Sequence, residues 1–440
     1  MTSSTVTSST VTLDGLLAAA AHSRPSRPAL VDGDRTWTYA ELDAAVDELA
    51  GALRSAGLRP GDRIGVYIAK SAEAVLGIYA GLRAGAVVAP LDVRGPLGRT
   101  GRMREQAGFA LVLSTASTRG AARTVAGWDA GEEPVAGELG HGIEWVCCEP
   151  MAPSPSPSPD PSAGGYVLFT SGSTGWPKGV LLSHANVAHF ALWAAEEVGL
   201  VATDRVGSQA ALTFDLSTFD IFGSAAAGAC VVLMPERIKA FPRDVAGWLS
   251  EQAITVLYAV PSLYQDMLER GGLREAFPER LRTVLYAGEP FNPHALELYV
   301  KLLDGRPMYN LYGPTETNVC TYTRVAPDWT ASREITVGKA IPGDVVDVFD
   351  DAGRPTDGDG EICWPAPRCS RATWRVGSCA TPPPSCGSPT ASCGVPTPRA
   401  TSVAALPTAG SSCADGGVTC RSSGGATGST SVRSRVSSRS

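Results

Sequence analysis

Residues 166–186 read YVLFTSGSTGWPKGVLLSHAN, and their side chains suit one kind of chemistry, the holding of phosphate. Around a single lysine the stretch Thr170 to Gly179 gathers hydroxyls and glycines: Thr170, Ser171, Gly172, Ser173, Thr174, Gly175 and Lys178. Glycines let backbone N–H groups approach phosphate oxygens, hydroxyls donate further hydrogen bonds, and Lys178 supplies positive charge. The spacing is not that of a Walker A loop, which needs Gly-Lys followed by Ser or Thr. In this sequence Pro177 precedes the lysine and Gly179 follows it. An ordinary Gly/Ser turn has no need of so dense a run of phosphate-compatible residues.

Such a loop is only as well placed as the elements beside it. The apolar run Tyr166 to Phe169 predicts a buried strand leading into it. Upstream, helices are predicted over Leu13 to Ala21, Tyr39 to Leu53 (with Leu42, Val46, Leu49 and Leu53 on one face) and Ser71 to Ala84, the last stopped by Gly85. Strands are predicted over Asp62 to Ile68, Val87 to Leu91 and Phe109 to Ser114. This alternation predicts an α/β fold with parallel-type sheets flanked by helices. Residues 151–163 (MAPSPSPSPDPSA) predict a Pro/Ser linker or surface loop.

The whole chain has 440 residues, 44% of them hydrophobic, and a formal net charge of -7. It is long enough for a large core, and its acidity argues against nucleic acid as a partner. No apolar run is long enough to span a membrane, and residues 1–11, a Thr/Ser repeat without a basic start, predict a disordered N-terminus rather than a secretory signal. A cytoplasmic location is the expectation.

The averages conceal two unlike pieces. All but one of the acidic residues lie in 1–362, whereas 363–440 carries eight arginines, one aspartate and no lysine. Seven of the eleven cysteines lie in that tail, which has one leucine and no Ile, Phe, Tyr or Met. So little apolar surface cannot offset ordering entropy, so 363–440 is expected to be disordered. Its cysteine spacings lack the close pairs of zinc sites. Out-of-frame translation of a GC-rich gene is the expectation for this composition.

The segment TSGSTGWPKG resembles the signature of the adenylate-forming superfamily, which holds acyl-CoA synthetases, luciferases and the adenylation domains of nonribosomal peptide synthesis. Further matches follow in the family's order. Trp37-Thr38-Tyr39-Ala40-Glu41-Leu42 resembles its first motif and the stretch from Leu82 to Asp92 (LRAGAVVAPLD) its second. Phe214-Asp215-Leu216-Ser217 resembles the fourth motif and Asn310-Leu311-Tyr312-Gly313-Pro314-Thr315-Glu316 the fifth. Val337 to Pro342 (VGKAIP) matches a later segment, and Gly360-Glu361-Ile362 begins the sixth. The resemblance covers roughly 12–362 and implies the family's large N-terminal core: two helix-flanked parallel-type sheets plus an incomplete β-barrel subdomain. The motifs expected after Ile362, and the small C-terminal domain with its catalytic lysine, are not found in 363–440.

In function, the resemblance implies attack of a carboxylate on the α-phosphate of ATP, giving an acyl-adenylate and pyrophosphate. A thiol, that of a carrier-protein phosphopantetheine, then takes the acyl group. It places Thr170 to Gly175 and Lys178 around the β- and γ-phosphates, Thr315 on the α-phosphate and Glu316 on Mg²⁺, a hard cation suited to an oxygen ligand. Thr315, Glu316 and Lys178 are thereby the catalytic candidates. Tyr312 would pack on adenine, Gly288-Glu289-Pro290 would line its slot, and Asn310 and Gly313 belong to the same nucleotide-binding set.

Within the family, Asp215 is the residue that pairs with an amino-acid ammonium; aryl-acid and fatty-acid members have no such group to bind. Next to Phe214 and Asp215, the corresponding pocket positions are Leu216, Phe219, Tyr258, Leu285, Ala287, Leu311, Val319 and Cys320. Apart from Asp215 and the Tyr258 hydroxyl this wall is apolar. It disfavours charged or amide side chains, which would be left unpaired. Phe219 and Tyr258 fill volume, so a compact apolar amino acid is expected. In order, the set resembles the pocket of stand-alone prolyl-adenylating enzymes and differs mainly at Phe219. L-Proline is the first expectation, with alanine or valine as the alternative. With no lysine in the tail, weak binding and poor adenylation by this chain are also expected, and a non-catalytic nucleotide-binding remnant is the other reading.

Overall fold

The computed structural model describes residues 11–129, 131–149, 165–171, 176–350, 356 and 361–365, with two short backbone stretches at 372–373 and 417–418. The expected disordered start, the Pro/Ser loop at 151–163, loop residues Gly172 to Gly175 and nearly all of the 363–440 tail lie outside these residues.

Helix starts follow from local capping chemistry. Thr38 caps Tyr39–Ser55 in a reciprocal box with Glu41, and Ser183 caps His184–Glu197 in a similar box with Asn186. Thr12 and Ser71 cap Leu13–Ser23 and Ala72–Arg83. Each such cap satisfies backbone donors that the first helical turn leaves open. Arg83, at the end of Ala72–Arg83, gathers Asp43 (2.7 Å), Asp47 (2.8 Å) and Asp14 (3.7 Å), tying Leu13–Ser23, Tyr39–Ser55 and Ala72–Arg83 together.

Two large sheets carry the fold, and both are mixed rather than purely parallel. In the first, Met308–Tyr312, Thr283–Tyr286, Val256–Ala259, Arg205–Ser208, Cys230–Leu233 and Pro28–Asp32 run parallel in that order. Antiparallel strands close its two edges: Arg35–Thr38 beside Pro28–Asp32, and Thr321–Arg324 then Lys339–Ala340 beyond Met308–Tyr312. In the second, the parallel centre is Tyr166–Ser171, Val87–Pro90, Arg63–Val66 and Leu111–Thr115. Pro177–Leu182 joins one edge as a hairpin, and Ile143–Cys147 with Ala136–Gly140 extends the other. The backbone of Ala372–Thr373 lies antiparallel to Pro177–Leu182. The expected parallel character therefore holds at the sheet centres, and hairpins supply the antiparallel edges. In a small third sheet Glu361–Pro365 is the middle strand, paired with Asp347–Phe349 on one side and Gly417–Val418 on the other.

One apolar core joins the two large sheets. Leu30, Val231 and Leu233 of the first and Ile64, Val66, Tyr166 and Val180 of the second share it with the three helices tied by Arg83. The packing is close. A Cβ at Gly81 would stand 2.4 Å from Ile64 Cδ1 and 2.8 Å from Val88 Cγ2, so helix Ala72–Arg83 can lie this near its sheet only with glycine there. Among the described residues no helix is long and apolar enough to cross a membrane.

Candidate active site

The phosphate-type segment is a hairpin. Thr170 pairs with Lys178 and Ser171 with Pro177, so these residues and Gly179 belong to strands, and the loop proper is shorter than the sequence predicts. Thr170 Oγ1 lies 3.4 Å from the Lys178 carbonyl as its donor. Gly172, Ser173, Thr174 and Gly175 lie outside the described residues. Lys178 Nζ stands 3.7 Å from Glu316 Oε1, with both side chains mostly buried. Lys178 comes from the second sheet and Glu316 from the loop that follows Met308–Tyr312 of the first, so this ion pair sits where the two sheets meet.

That loop is tightly folded. Cys320 N–H donates to the Tyr312 carbonyl (2.9 Å), and Thr317 N–H to that of Pro314 (3.0 Å). A Cβ on Gly313 would fall 2.7 Å from Val319 Cα and 2.9 Å from Cys320 N, which accounts for glycine in this motif. Two side chains then bind the loop to the segment around Asp215. Thr315 Oγ1 donates to Asp215 Oδ2 at 2.9 Å, and buried Asn318 Nδ2 donates to Thr218 Oγ1 at 2.8 Å. Asp215 keeps some accessible surface although protein surrounds it deeply. Burial pushes its carboxyl above the ordinary carboxylate range, and the Thr315 hydroxyl works against that shift.

Leu216, Phe219, Tyr258, Leu285, Ala287, Leu311 and Val319 share a single buried cluster, so seven of the predicted wall residues converge. Phe219 and Tyr258 meet edge to face, with ring centroids 5.7 Å apart at 89°. Burial, followed by the charges of Asp215 and Asp220, pushes the Tyr258 phenol well above its usual value and keeps it a donor. Cys320 packs instead with Val337 and Ile362, against Tyr312, and Phe214 is 63% exposed. Gly288, Glu289 and Pro290 form an exposed turn after Thr283–Tyr286, where Glu289 Oε2 accepts the Ser262 N–H at 3.1 Å. Asn310 Nδ2 donates to the Thr336 carbonyl at 3.0 Å.

Three residues near the site have no motif to announce them. Asn318 sits in a left-handed conformation (φ 66°), one that asparagine tolerates better than most residues. Lys70 Nζ donates to the carbonyls of Ser208 (2.6 Å) and Ala210 (2.7 Å). Asp220, fully buried directly behind Phe219, is pushed up by burial to about 7, and the Lys70 charge opposes the shift. Phe219 to Gly223 form a π-helical turn that carries Phe219 and Asp220, both fully buried.

The described residues hold no cluster of three or more His, Cys, Asp or Glu side chains able to cage a metal. Glu316 alone fits a Mg²⁺ that arrives on a polyphosphate, since that cation is commonly held by one or two carboxylates together with substrate oxygens.

Fold and site together present a two-sheet α/β core in which the Lys178–Glu316 pair stands close to Asp215 and its apolar cluster. The family model described as "AMP-binding enzyme" matches residues 17–372, and the chain belongs to that family. An L-proline–[L-prolyl-carrier protein] ligase of Streptomyces coelicolor is 37% identical over 359 residues, covering 77% of this chain and 66% of the ligase. A ligase of the same name from Pseudomonas fluorescens is 34% identical over 328 residues, covering 73% of this chain and 65% of its own. The chain thus spans just under two thirds of the length of these relatives. The crystal structure of the nonribosomal peptide synthetase FmoA3 matches at a TM-score of 0.68 and 26% identity, over 82% of this chain and 38% of FmoA3.

Proposed function

We propose that this chain uses ATP to activate a small apolar amino acid, L-proline first, as the aminoacyl-adenylate, for transfer to the phosphopantetheine thiol of a carrier protein in the cytoplasm. The observation that carries the reading is the Thr315–Asp215 hydrogen bond beside the Lys178–Glu316 pair. It sets an ammonium-pairing carboxylate within one side chain of the residues suited to polyphosphate. Asp215 holds the substrate ammonium, while the apolar cluster receives the side chain and leaves a charged one unpaired. Lys178 neutralises phosphate charge that grows during transfer, and Thr315 orients an α-phosphate oxygen. Mg²⁺, when bound at Glu316, supplies further charge neutralisation. The two ligases above support proline as substrate.

Amino-acid-dependent exchange of labelled pyrophosphate into ATP tests this reading. Exchange driven by proline above alanine and valine supports it. Alanine or valine ahead of proline removes the proline assignment, and ATP binding without exchange for any amino acid leaves a nucleotide-binding protein.

A further inference from the structure

Helix Leu97–Ala107 packs along the strand that carries Lys178, and two of its side chains one turn apart grip that strand on either side of the lysine. Arg102 lays its guanidinium over the exposed Trp176 ring, with Cζ 3.8 Å from the ring centroid. Gln106, four residues on and therefore on the same helical face, accepts the Gly179 N–H through Oε1 at 3.3 Å. Trp176 and Gly179 flank Pro177 and Lys178 directly. A cation over an aromatic face and a side chain on a strand-edge N–H are independent contacts, and together they fix both ends of a four-residue span.

We propose that Arg102 and Gln106 are positioning residues: from helix Leu97–Ala107 they hold Trp176–Gly179 so that Lys178 faces Glu316 and any polyphosphate between them. The consequence for nucleotide rests on the function proposed above; the bracketing of the strand does not. The apolar part of the packing, from Met103 and Ala107, belongs to a separate buried cluster, so removing Arg102 or Gln106 leaves the helix seated. Met103 and Ala107 of this helix belong to a different buried cluster from Leu216, Phe219 and Tyr258, so the pair is expected to affect nucleotide and not amino-acid binding.

Hydrogen exchange on the full chain without ligands reads the bracket itself. In Arg102→Ala and Gln106→Ala, amides in a peptide covering Trp176 to Val180 are expected to exchange about threefold to fivefold faster, the effect of losing one contact of this kind, with helix Leu97–Ala107 unchanged. Arg102→Lys, which keeps a cation for the ring, is expected to restore most of the protection. Unchanged exchange at Trp176 to Val180 in both alanine variants overturns the proposal. Titration with MgATP reads the consequence: Kd is expected to rise about threefold to fivefold in Arg102→Ala, with proline affinity unchanged and rescue by Arg102→Lys. Equal weakening for ATP and proline, or no rescue, overturns the positioning role. A wild-type chain that binds no ATP overturns the proposed function instead, and the exchange result then decides the bracket alone.

Discussion

Asp215 shows how much one side chain can decide. In the free protein its carboxylate is only partly compensated, by the Thr315 hydroxyl, and burial has raised its proton affinity. On the proposed function a substrate ammonium supplies the missing charge, so amino-acid binding is expected to favour the ionised form. The expected outcome is that proline affinity, followed by calorimetry, falls as pH is lowered through the raised pKa of Asp215. The loss begins at higher pH than for an ordinary carboxylate. Asp215→Asn removes that pH dependence and weakens proline by about tenfold or more, the scale for a buried charge pair missing a partner, with ATP binding retained. An unaltered pH profile in Asp215→Asn would place the ammonium elsewhere. Asp215, Thr315, Lys178 and Glu316 were legible in the sequence because each lies in a dense local motif. Asn318, Lys70 and Asp220 were not: their partners are far along the chain, and no local pattern records that Asn318 reaches Thr218 or that Lys70 approaches Asp220.

Elements were read well where local chemistry sets their limits. Predicted helices began where Thr38 and Ser71 cap them, and strand positions agreed to within about two residues, the usual uncertainty of an element end. The antiparallel edges escaped the βα alternation because hairpins such as Tyr166–Ser171 with Pro177–Leu182 interrupt it, and that pairing also shortened the predicted phosphate loop. Between elements, the Asp204 and Arg282 pair fastens two strands of the first sheet at their starts. Arg282 Nε donates to Asp204 Oδ1 at 2.8 Å, and the Val201 N–H and the Thr255 hydroxyl donate at 2.8 Å each. Burial raises the Asp204 carboxyl, but Arg282, the Val201 N–H and Thr255 outweigh it and hold it below its ordinary value. A depressed folded pKa gives stability that is present above the unfolded value near 4 and is lost as pH falls through the folded one. Asp204→Asn is therefore expected to cost about 1–3 kcal/mol in denaturant unfolding at pH 7, and progressively less below pH 4. A cost that stays constant down to pH 2 would assign the effect to packing.

At the scale of the molecule, the question is why two sheets sharing one core should bring a cation from one against a carboxylate from the other. Lys178 and Glu316 stand 3.7 Å apart without ligand, each partly neutralising its neighbour. If the proposed function holds, a polyphosphate needs Lys178 and is repelled by Glu316, so ATP alone is expected to gain one interaction and lose another. Mg²⁺ held at Glu316 would reverse the sign there, and on the proposed function both residues would then attract the complex. On the proposed function, nucleotide affinity is therefore expected to depend on the cation through one carboxylate. Glu316→Gln removes the repulsion without removing Lys178. In EDTA it is expected to bind ATP at least as tightly as the parent chain. On addition of Mg²⁺ the parent should tighten by about tenfold, one unit of log affinity or about 1.4 kcal/mol, while the variant tightens by much less. Calorimetric titrations of both proteins with and without Mg²⁺ measure the difference. An equal Mg²⁺ response in the two would move the cation away from Glu316 and leave that carboxylate only its pairing with Lys178 across the junction of the sheets.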